Sequence, residues 1–320
     1  MRGIAKAVLW AMVVAVAGGG GALARPCTEI DTDLERAIND RELDRLYVLF
    51  QEALDASSGC DADYLKSLRR DIANAFVAQT YDWADAGRNR IELIALLRRG
   101  YKFKGTWQLL SALAELQRQD GKHDEAALNA QVAINDYIDD EFVPSQNTEP
   151  SEEQRAALAH LVKLARETQA LADSFAAPPG SKSGWGGLFH PEISKSFGFR
   201  AKPVPVEFVD GSVKLSAKGL AALEMLYKYL SDVRPKGVRV QRYSGLPGGK
   251  DHNATLSGQR AIAVKTYLEG KGLLAADGSP IRIETNARGE KSPMQRVEPG
   301  TYSQKEIDQL NRRIVLLIEE

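Results

Sequence analysis

The stretch "HNATLSGQRAIAVKTYL", His252 to Leu268, sets a guanidinium where anion chemistry is expected. Leu256, Val264, Tyr267 and Leu268 recur at helical spacing, so the periodicity predicts a helix with these residues on one face. Arg260 lies four residues after Leu256 and four before Val264, in the middle of that apolar stripe. A guanidinium cannot shed its charge, so a partly buried one must face an anion. The first turns of a helix also carry free N–H groups that favour negative charge. Together the two features describe a carboxylate site, in which a bidentate pair is worth roughly 1.5–3 kcal/mol. The alternative is an internal ion pair between Arg260 and a strand carboxylate such as Glu207 or Glu284.

Other chemistries find less support. His123, His160, His190 and His252 form no HExxH, and no metal set is visible around them. "GSKSG" near residue 180 has lysine where a nucleophile elbow needs serine. "SGLPGGKD" resembles a phosphate loop, but Ser244 stands at its first glycine and Asp251 where the magnesium-binding hydroxyl belongs. No enzyme activity and no cofactor are expected.

These residues sit in a chain of 320, long enough for about two domains. Its 43% hydrophobic and 27% charged residues are those of a globular protein. A formal net charge of −1 gives no basic field for nucleic acid. Residues 1–24 read as a signal peptide: Arg2 and Lys6, an apolar run Ala7–Ala17, then Ala22-Leu23-Ala24 before a cut at Arg25. Cys27 follows Pro26, which argues against lipidation. Export to an oxidising compartment predicts a disulfide between the only cysteines, Cys27 and Cys60, tying the start of the first helix to the turn after it.

Residues 25–176 read as successive helices. "NRIELIALLRRG" ends on Gly100, a candidate C-cap, and a capping box runs from Ser151 to Gln154. "WQLLSALAELQRQDGKHDEAALNAQVAINDYI" resembles a tetratricopeptide repeat, with Gly121 at the turn and Ala114, Ala126 and Ala133 where packed helices need small side chains. A generic helical bundle is the alternative. Residues 177–202 are rich in Gly, Pro and Ser and read as a linker, with Trp185, Phe189 and Phe197 docking part of it. From 203 to 320 strands alternate with helices: "VPVEFV", a helix with Leu220, Leu223, Leu226 and Leu230 on one side, "KGVRVQRY", the helix of Arg260, "PIRIETNA", a short helix opened by Ser303 and Glu306, and "NRRIVLLIEE". That order predicts a small α/β sandwich.

The string "HNATLSGQRAIAVKTYL", followed by "ARGEKSP" and "NRRIVLLI", resembles the OmpA-like C-terminal domain of Gram-negative envelope proteins, over residues 203–320. The resemblance implies non-covalent binding of peptidoglycan through the diaminopimelate of its stem peptide. It makes Arg260 the family arginine that takes a ligand carboxylate. It sets Asn253, Leu256 and Ser257 at the loop-to-helix corner, and Asn311 and Arg313 in a structural closing motif. The family string GHTD falls on Arg242, Tyr243, Ser244 and Gly245, so glycine stands where the family aspartate takes the ligand ammonium. Asp251 in the same loop is the candidate substitute, and Arg242 adds a cation that would repel an ammonium and attract a carboxylate. Two functions follow: a wall anchor presenting a helical domain to an unidentified protein partner, at the periplasmic face and in association with the outer membrane, or an envelope scaffold that has lost diaminopimelate binding.

Overall fold

A computed structural model describes residues 25–55, 58–103, 106–142, 149–174, 185–243, 250–289, 301–311 and 314–319, with backbone alone at 243, 250–254, 287–289 and 311. The chain divides into two compact units, Met1–Leu65 and Lys66–Glu320. In the first, α1 (Cys27–Asn39) packs on α2 (Leu43–Leu54) through Ile30, Leu34, Leu46, Leu49 and Phe50. The expected disulfide is formed, with Cys27 and Cys60 bridged at a Cα separation of 5.1 Å. It spans two helices rather than one, because Asp40–Glu42 breaks the first periodic run. A 33-residue separation stabilises by about 3–4 kcal/mol through the entropy of the unfolded chain.

The second unit continues the helices. The division falls within α3 (Ala62–Asp85), and α4 (Arg90–Tyr101), α5 (Trp107–Gln119), α6 (His123–Glu141) and α7 (Glu152–Leu171) follow. The predicted capping box of α7 is present: Ser151 and Gln154 exchange side-chain and backbone hydrogen bonds. Ala114, Ala126 and Ala133 are fully buried where α5, α6 and α7 meet. Gly121 turns the chain between α5 and α6 at φ +71. Gly100 lies inside α4 rather than after it, buried beside Phe76 and Leu109.

The stretch expected to be a linker is built into this unit from residue 185 on. Gly187–Phe189 forms a 3-10 turn and Pro191–Lys195 a short helix, α8. Leu188, Phe189, Ile193 and Phe197 are buried in one core with α6, α7 and the C-terminal sheet. The physical reason is polar as well as apolar. Asn135 Oδ1 accepts from Gly187 N at 2.6 Å, Gln131 Oε1 accepts from Leu188 N at 3.4 Å, and Gln131 Nε2 donates to Gln169 Oε1 at 2.8 Å. These groups are buried, so each bond offsets a desolvation cost of roughly 1–3 kcal/mol.

Four strands form a sheet in the order β1-β4-β2-β3: β1 (Ala201–Val204), β2 (Gly237–Tyr243), β3 (Arg282–Gly289) and β4 (Ile314–Glu319). β4 is antiparallel to β1 and β2, and β2 is parallel to β3. A parallel pair needs a crossover, and α10 (Lys250–Gly270) supplies it. α9 (Ala217–Val233) connects β1 to β2, and α11 (Gln304–Asn311) precedes β4. The edge strand begins earlier than "VPVEFV" because it pairs Ala201–Val204 with Leu317–Ile314, and only Phe208 of the later residues makes a bridge, to Leu215. On α9 the buried row is Ala222, Leu223, Leu226 and Leu230, while Leu220 is 44% exposed. Arg166 donates to Ala201 O at 2.6 Å, so α7 holds the β1 edge. On the other side Arg118 stacks on Tyr302, whose hydroxyl donates to Glu167 at 2.8 Å.

Two stability predictions follow from these contacts. Gly187 has φ +59, and a Cβ there would stand 2.6 Å from Gln131. Gly187→Ala should cost about 2–4 kcal/mol in a denaturant melt, and an unchanged midpoint would show that the polar clamp yields freely. Asp136 on α6 has its carboxyl pushed up to about 7 by burial and by the nearby Asp140 and Asp139, from an ordinary 3.8. The unfolded chain therefore releases this proton first, and the folded state loses stability as pH rises from about 4 to 7. Asp136→Asn should raise the melting temperature at pH 8 and leave it unchanged below pH 4.

Candidate functional site

The site begins at the chain that leads from the β1 edge into α9. Val209 N donates to Lys214 O at 2.8 Å and Ser216 N to Glu207 O at 3.1 Å, closing a tight turn over residues 209–214. Ser216 caps α9 by accepting from Gly219 N at 3.0 Å, and its hydroxyl donates to Glu207. Gly219 is required by close approach: a Cβ on it would stand 2.0 Å from Glu207 O. This junction presses Phe208, 7% exposed, into the end of the core.

Two arginines meet that ring. Arg260 holds its guanidinium carbon 5.0 Å from the Phe208 centroid, and Arg242 holds its own at 6.0 Å. Such contacts contribute about 0.5–2 kcal/mol each, more when water is excluded. Arg260 Nε also donates to Ser212 O at 2.8 Å and its NH2 group to Val209 O at 3.3 Å. The turn thus holds the arginine, and the arginine holds the turn.

Arg260 is not in the middle of the buried stripe. The buried row of α10 is Ser257, Ala261, Val264 and Leu268, and Arg260 is half-buried at its edge beside Leu256. Nor is it in the first turns. The helix begins at Lys250, so Arg260 lies about 15 Å along its axis, beyond reach of the N-terminal N–H groups. The case for an anion therefore rests on the guanidinium charge. Glu284 is excluded as its ion-pair partner by strand alternation. It stands opposite Arg239 in the β2–β3 register, pairs with Arg239 at 3.2 Å, and shares the sheet face away from the Val238–Val240 row that α10 covers.

Arg242 continues that inner row. In the register with β4, Val238, Val240 and Arg242 face Ile318, Leu316 and Ile314, all on one side of the sheet. Arg242 is 3% exposed and sits where the β2–β3 register shifts, a local irregularity that re-aims side chains. Ser257 ends the matching row on α10. It is 2% exposed, and its Oγ has no hydrogen-bond partner among the described residues. At this end of the core both apolar rows turn polar.

Of the residues expected at a ligand, the structure brings Arg260, Leu256 and Ser257 to one stretch of α10 and sets the Phe208 ring against both Arg260 and Arg242. Asn253 and Asp251 are in the first turns of α10, but their side chains lie outside the described residues. Ser244, Gly245 and Arg313 lie outside them altogether, as does the side chain of Asn311. Phe208 and the carbonyls of Val209 and Ser212 were not visible as site residues, since nothing in a local pattern links them to residue 260. Among the described residues no group of three or more His, Cys, Asp and Glu could hold a metal, and no helix is long and apolar enough to cross a membrane.

Residues 207–306 match the model of the OmpA family, which covers the turn, α9, β2, α10 and β3. No curated protein matches the chain. Among solved structures it is similar to a MotB-like protein from Desulfovibrio vulgaris, at 21% identity and a TM-score of 0.30, over 37% of this chain and 72% of that one. It is similar to the peptidoglycan-associated lipoprotein of Burkholderia pseudomallei, at 22% identity and a TM-score of 0.29, over 41% of this chain and 99% of that one. A third is the cell wall anchor of the T6SS from Pseudomonas aeruginosa, at 17% identity and a TM-score of 0.28, over 42% of this chain and 95% of that one.

Arg260→Ala removes two side-chain donors from the 209–214 turn and should cost about 1–3 kcal/mol. Hydrogen exchange followed on peptides covering 207–216 should accelerate while exchange in β2 stays unchanged. Unaltered exchange in the turn would show that Arg260 does not hold it.

Proposed function

We propose that this protein is an exported envelope protein that binds peptidoglycan non-covalently through residues 203–320 and presents helices to a protein partner. The observation that carries this reading is Arg260. A permanently charged group is fixed, half-buried, at the polar end of the core, inside a segment that matches the OmpA family. The ligand is the diaminopimelate-bearing stem peptide, with a carboxylate on Arg260 and with Leu256, Ser257 and Asn253 at the corner beside it. Asp251 and Ser244 complete the site from the loop before α10. The chain has residues 1–24 as signal peptide, 25–176 as a tetratricopeptide-like helical domain, 177–202 as the connecting segment and 203–320 as the binding domain. It acts in the periplasm, associated with the outer membrane. The partner-facing surface lies on the helices, where Tyr81, Ile91, Tyr101 and Leu128 are exposed.

A second reading has a specific observation in its favour. Gly245 stands where the family has its aspartate, and Arg260 donates to the carbonyls of Ser212 and Val209. Under that reading the guanidinium is a structural staple and the chain is an envelope scaffold without wall binding.

Co-sedimentation of the chain from Arg25 onward with purified diaminopimelate-type sacculi separates the two. The anchor reading expects retention that falls at least tenfold in Arg260→Ala, with the circular dichroism spectrum preserved. A folded wild-type chain that stays in the supernatant would sink it and leave the scaffold.

A further inference from the structure

We infer that the face of α5, α6 and α7 beneath residues 301–306 is a recognition site for a partner segment that carries a tyrosine and, four residues on, a carboxylate. The chain's own residues 301–306 occupy that site in cis. The inference concerns the protein partner of the helices and does not rest on wall binding.

Arg118 on α5 and Glu167 on α7 are each 7% exposed. Charged side chains are almost never this buried unless they are paired. Helices that only had to pack on one another would place apolar residues there. Arg118 Nε donates to Glu115 Oε2 on its own helix at 2.9 Å. Its guanidinium carbon also lies 4.7 Å from the Tyr302 ring centroid, and its NH1 group donates to Thr301 O at 3.4 Å. Glu167 accepts from the Tyr302 hydroxyl at 2.8 Å. One tyrosine is thus read at both ends, its ring by a cation and its hydroxyl by a carboxylate. Glu306 is held next, with its Oε1 3.1 Å from Nε2 of His123 at the start of α6. Ser303 N donates to Glu306 Oε2 at 2.7 Å and Glu306 N to Ser303 Oγ at 3.4 Å, a capping box that fixes the spacing between Tyr302 and Glu306. The occupant is attached apart from the main core. Among the described residues its apolar anchor is the small cluster Leu171, Tyr302 and Leu310, with Ala170 and Ile307 against it, whereas the helices and the sheet meet in a different cluster. Residues 303–305 are exposed. A segment held by few buried apolar contacts and several polar bonds opens at a fraction of the global unfolding free energy. A partner segment of the same chemistry then competes with a tethered one, whose effective concentration masks the affinity of the site.

The test uses the chain from Arg25 onward and a fluorescein-labelled synthetic peptide with the sequence of residues 301–311, read by fluorescence anisotropy. Tyr302→Ala with Glu306→Ala in the protein weakens the resident occupant and leaves the site itself unaltered. Hydrogen exchange across 301–311 should then accelerate at least about tenfold while exchange in α6 and β2 stays unchanged. This double variant should bind the peptide at least about tenfold more tightly than wild type does. A peptide with phenylalanine in place of its tyrosine should bind the double variant about tenfold more weakly, because Glu167 then stays buried without its donor. Glu167→Ala added to the double variant should abolish that discrimination, which a merely greasy contact would not do. Should the double variant fail to fold, Tyr302→Phe alone, which keeps the ring, should gain about threefold or more in peptide affinity over wild type. No binding by a folded chain with accelerated exchange at 301–311 would overturn the inference, as would equal binding of the tyrosine and phenylalanine peptides. Unchanged exchange at 301–311 would overturn it too, since the named pairs would not be what holds the segment. Concentration-dependent dimerisation of wild type that Tyr302→Ala reverses would make a second copy the occupant and overturn the partner assignment. Sacculus retention enters none of these outcomes, so failure here leaves the anchor reading standing.

Discussion

A guanidinium that cannot discharge must be accommodated wherever the chain places it, and the C-terminal half is organised around two of them. Arg242 stands at the end of an otherwise apolar strand row, and Arg260 at the edge of the helix that covers it. Phe208 offers both a ring face, and the 209–214 turn offers Arg260 two carbonyls. Those carbonyls are available because the turn is closed by Val209 and Lys214 and pressed onto α9 by the absence of a side chain at Gly219. The cap of α9, the position of Phe208 and the direction of Arg260 are therefore one arrangement. A change in any of them moves the others, because side chains in a packed core cannot shift independently.

The same logic fixes the site relative to the helices of its own unit. A flexible linker before residue 203 would let the α/β half move freely. Instead the chain from Trp185 to Val204 passes through a buried polar clamp. Asn135 and Gln131 accept from the backbone N–H groups of Gly187 and Leu188, Gln131 donates to Gln169, Lys202 donates to Leu188 O at 2.6 Å, and Arg166 holds the start of β1. Breaking such a network strands buried donors and acceptors, which costs more than the bonds themselves contribute. The segment 301–311 adds a second attachment, with Tyr302 between Arg118 and Glu167 and Gln309 donating to Ala170 O at 3.2 Å. Burial raises the Glu167 carboxyl, and the Tyr302 hydroxyl and nearby cations oppose that rise.

Much of this was legible in the sequence and some was not, for physical reasons. Long amphipathic runs announced the helices, and the alternation in "KGVRVQRY" announced β2. That alternation also placed Arg242 on the same side as Val238 and Val240, so its burial was readable from period two alone. The stripe through Arg260 differs from the buried row because size points to Leu256 and Tyr267, whereas the smaller Ser257 and Ala261 are the buried ones. β1 was hidden because Ala201-Lys202-Pro203-Val204 has a buried lysine and a proline, and only its pairing with β4 makes it a strand. The clamp at Gly187 was hidden for the opposite reason. Buried glutamine and asparagine on α6 look like solvated positions until the partner backbone is known. The ring of Phe208 and its two cations are contacts between residues far apart in sequence, and no local period encodes them.

A ligand group held at the Phe208 corner and a partner held on α4 or α6 would be joined through packed elements of one compact unit, not through a tether. A tether stores slack and sets an effective concentration, whereas a packed connection transmits position and load. The path runs from Arg260 through α10 onto the sheet, from β1 to α7 by way of Arg166, and from the sheet core to α6 through Leu188 and Phe189. Its joints are buried apolar contacts and the hydrogen bond from Arg166 to Ala201 O. The buried Gln131, Asn135 and Gln169 and the bond from Arg166 to β1 therefore fix where the Phe208 corner stands relative to the helices of its own unit.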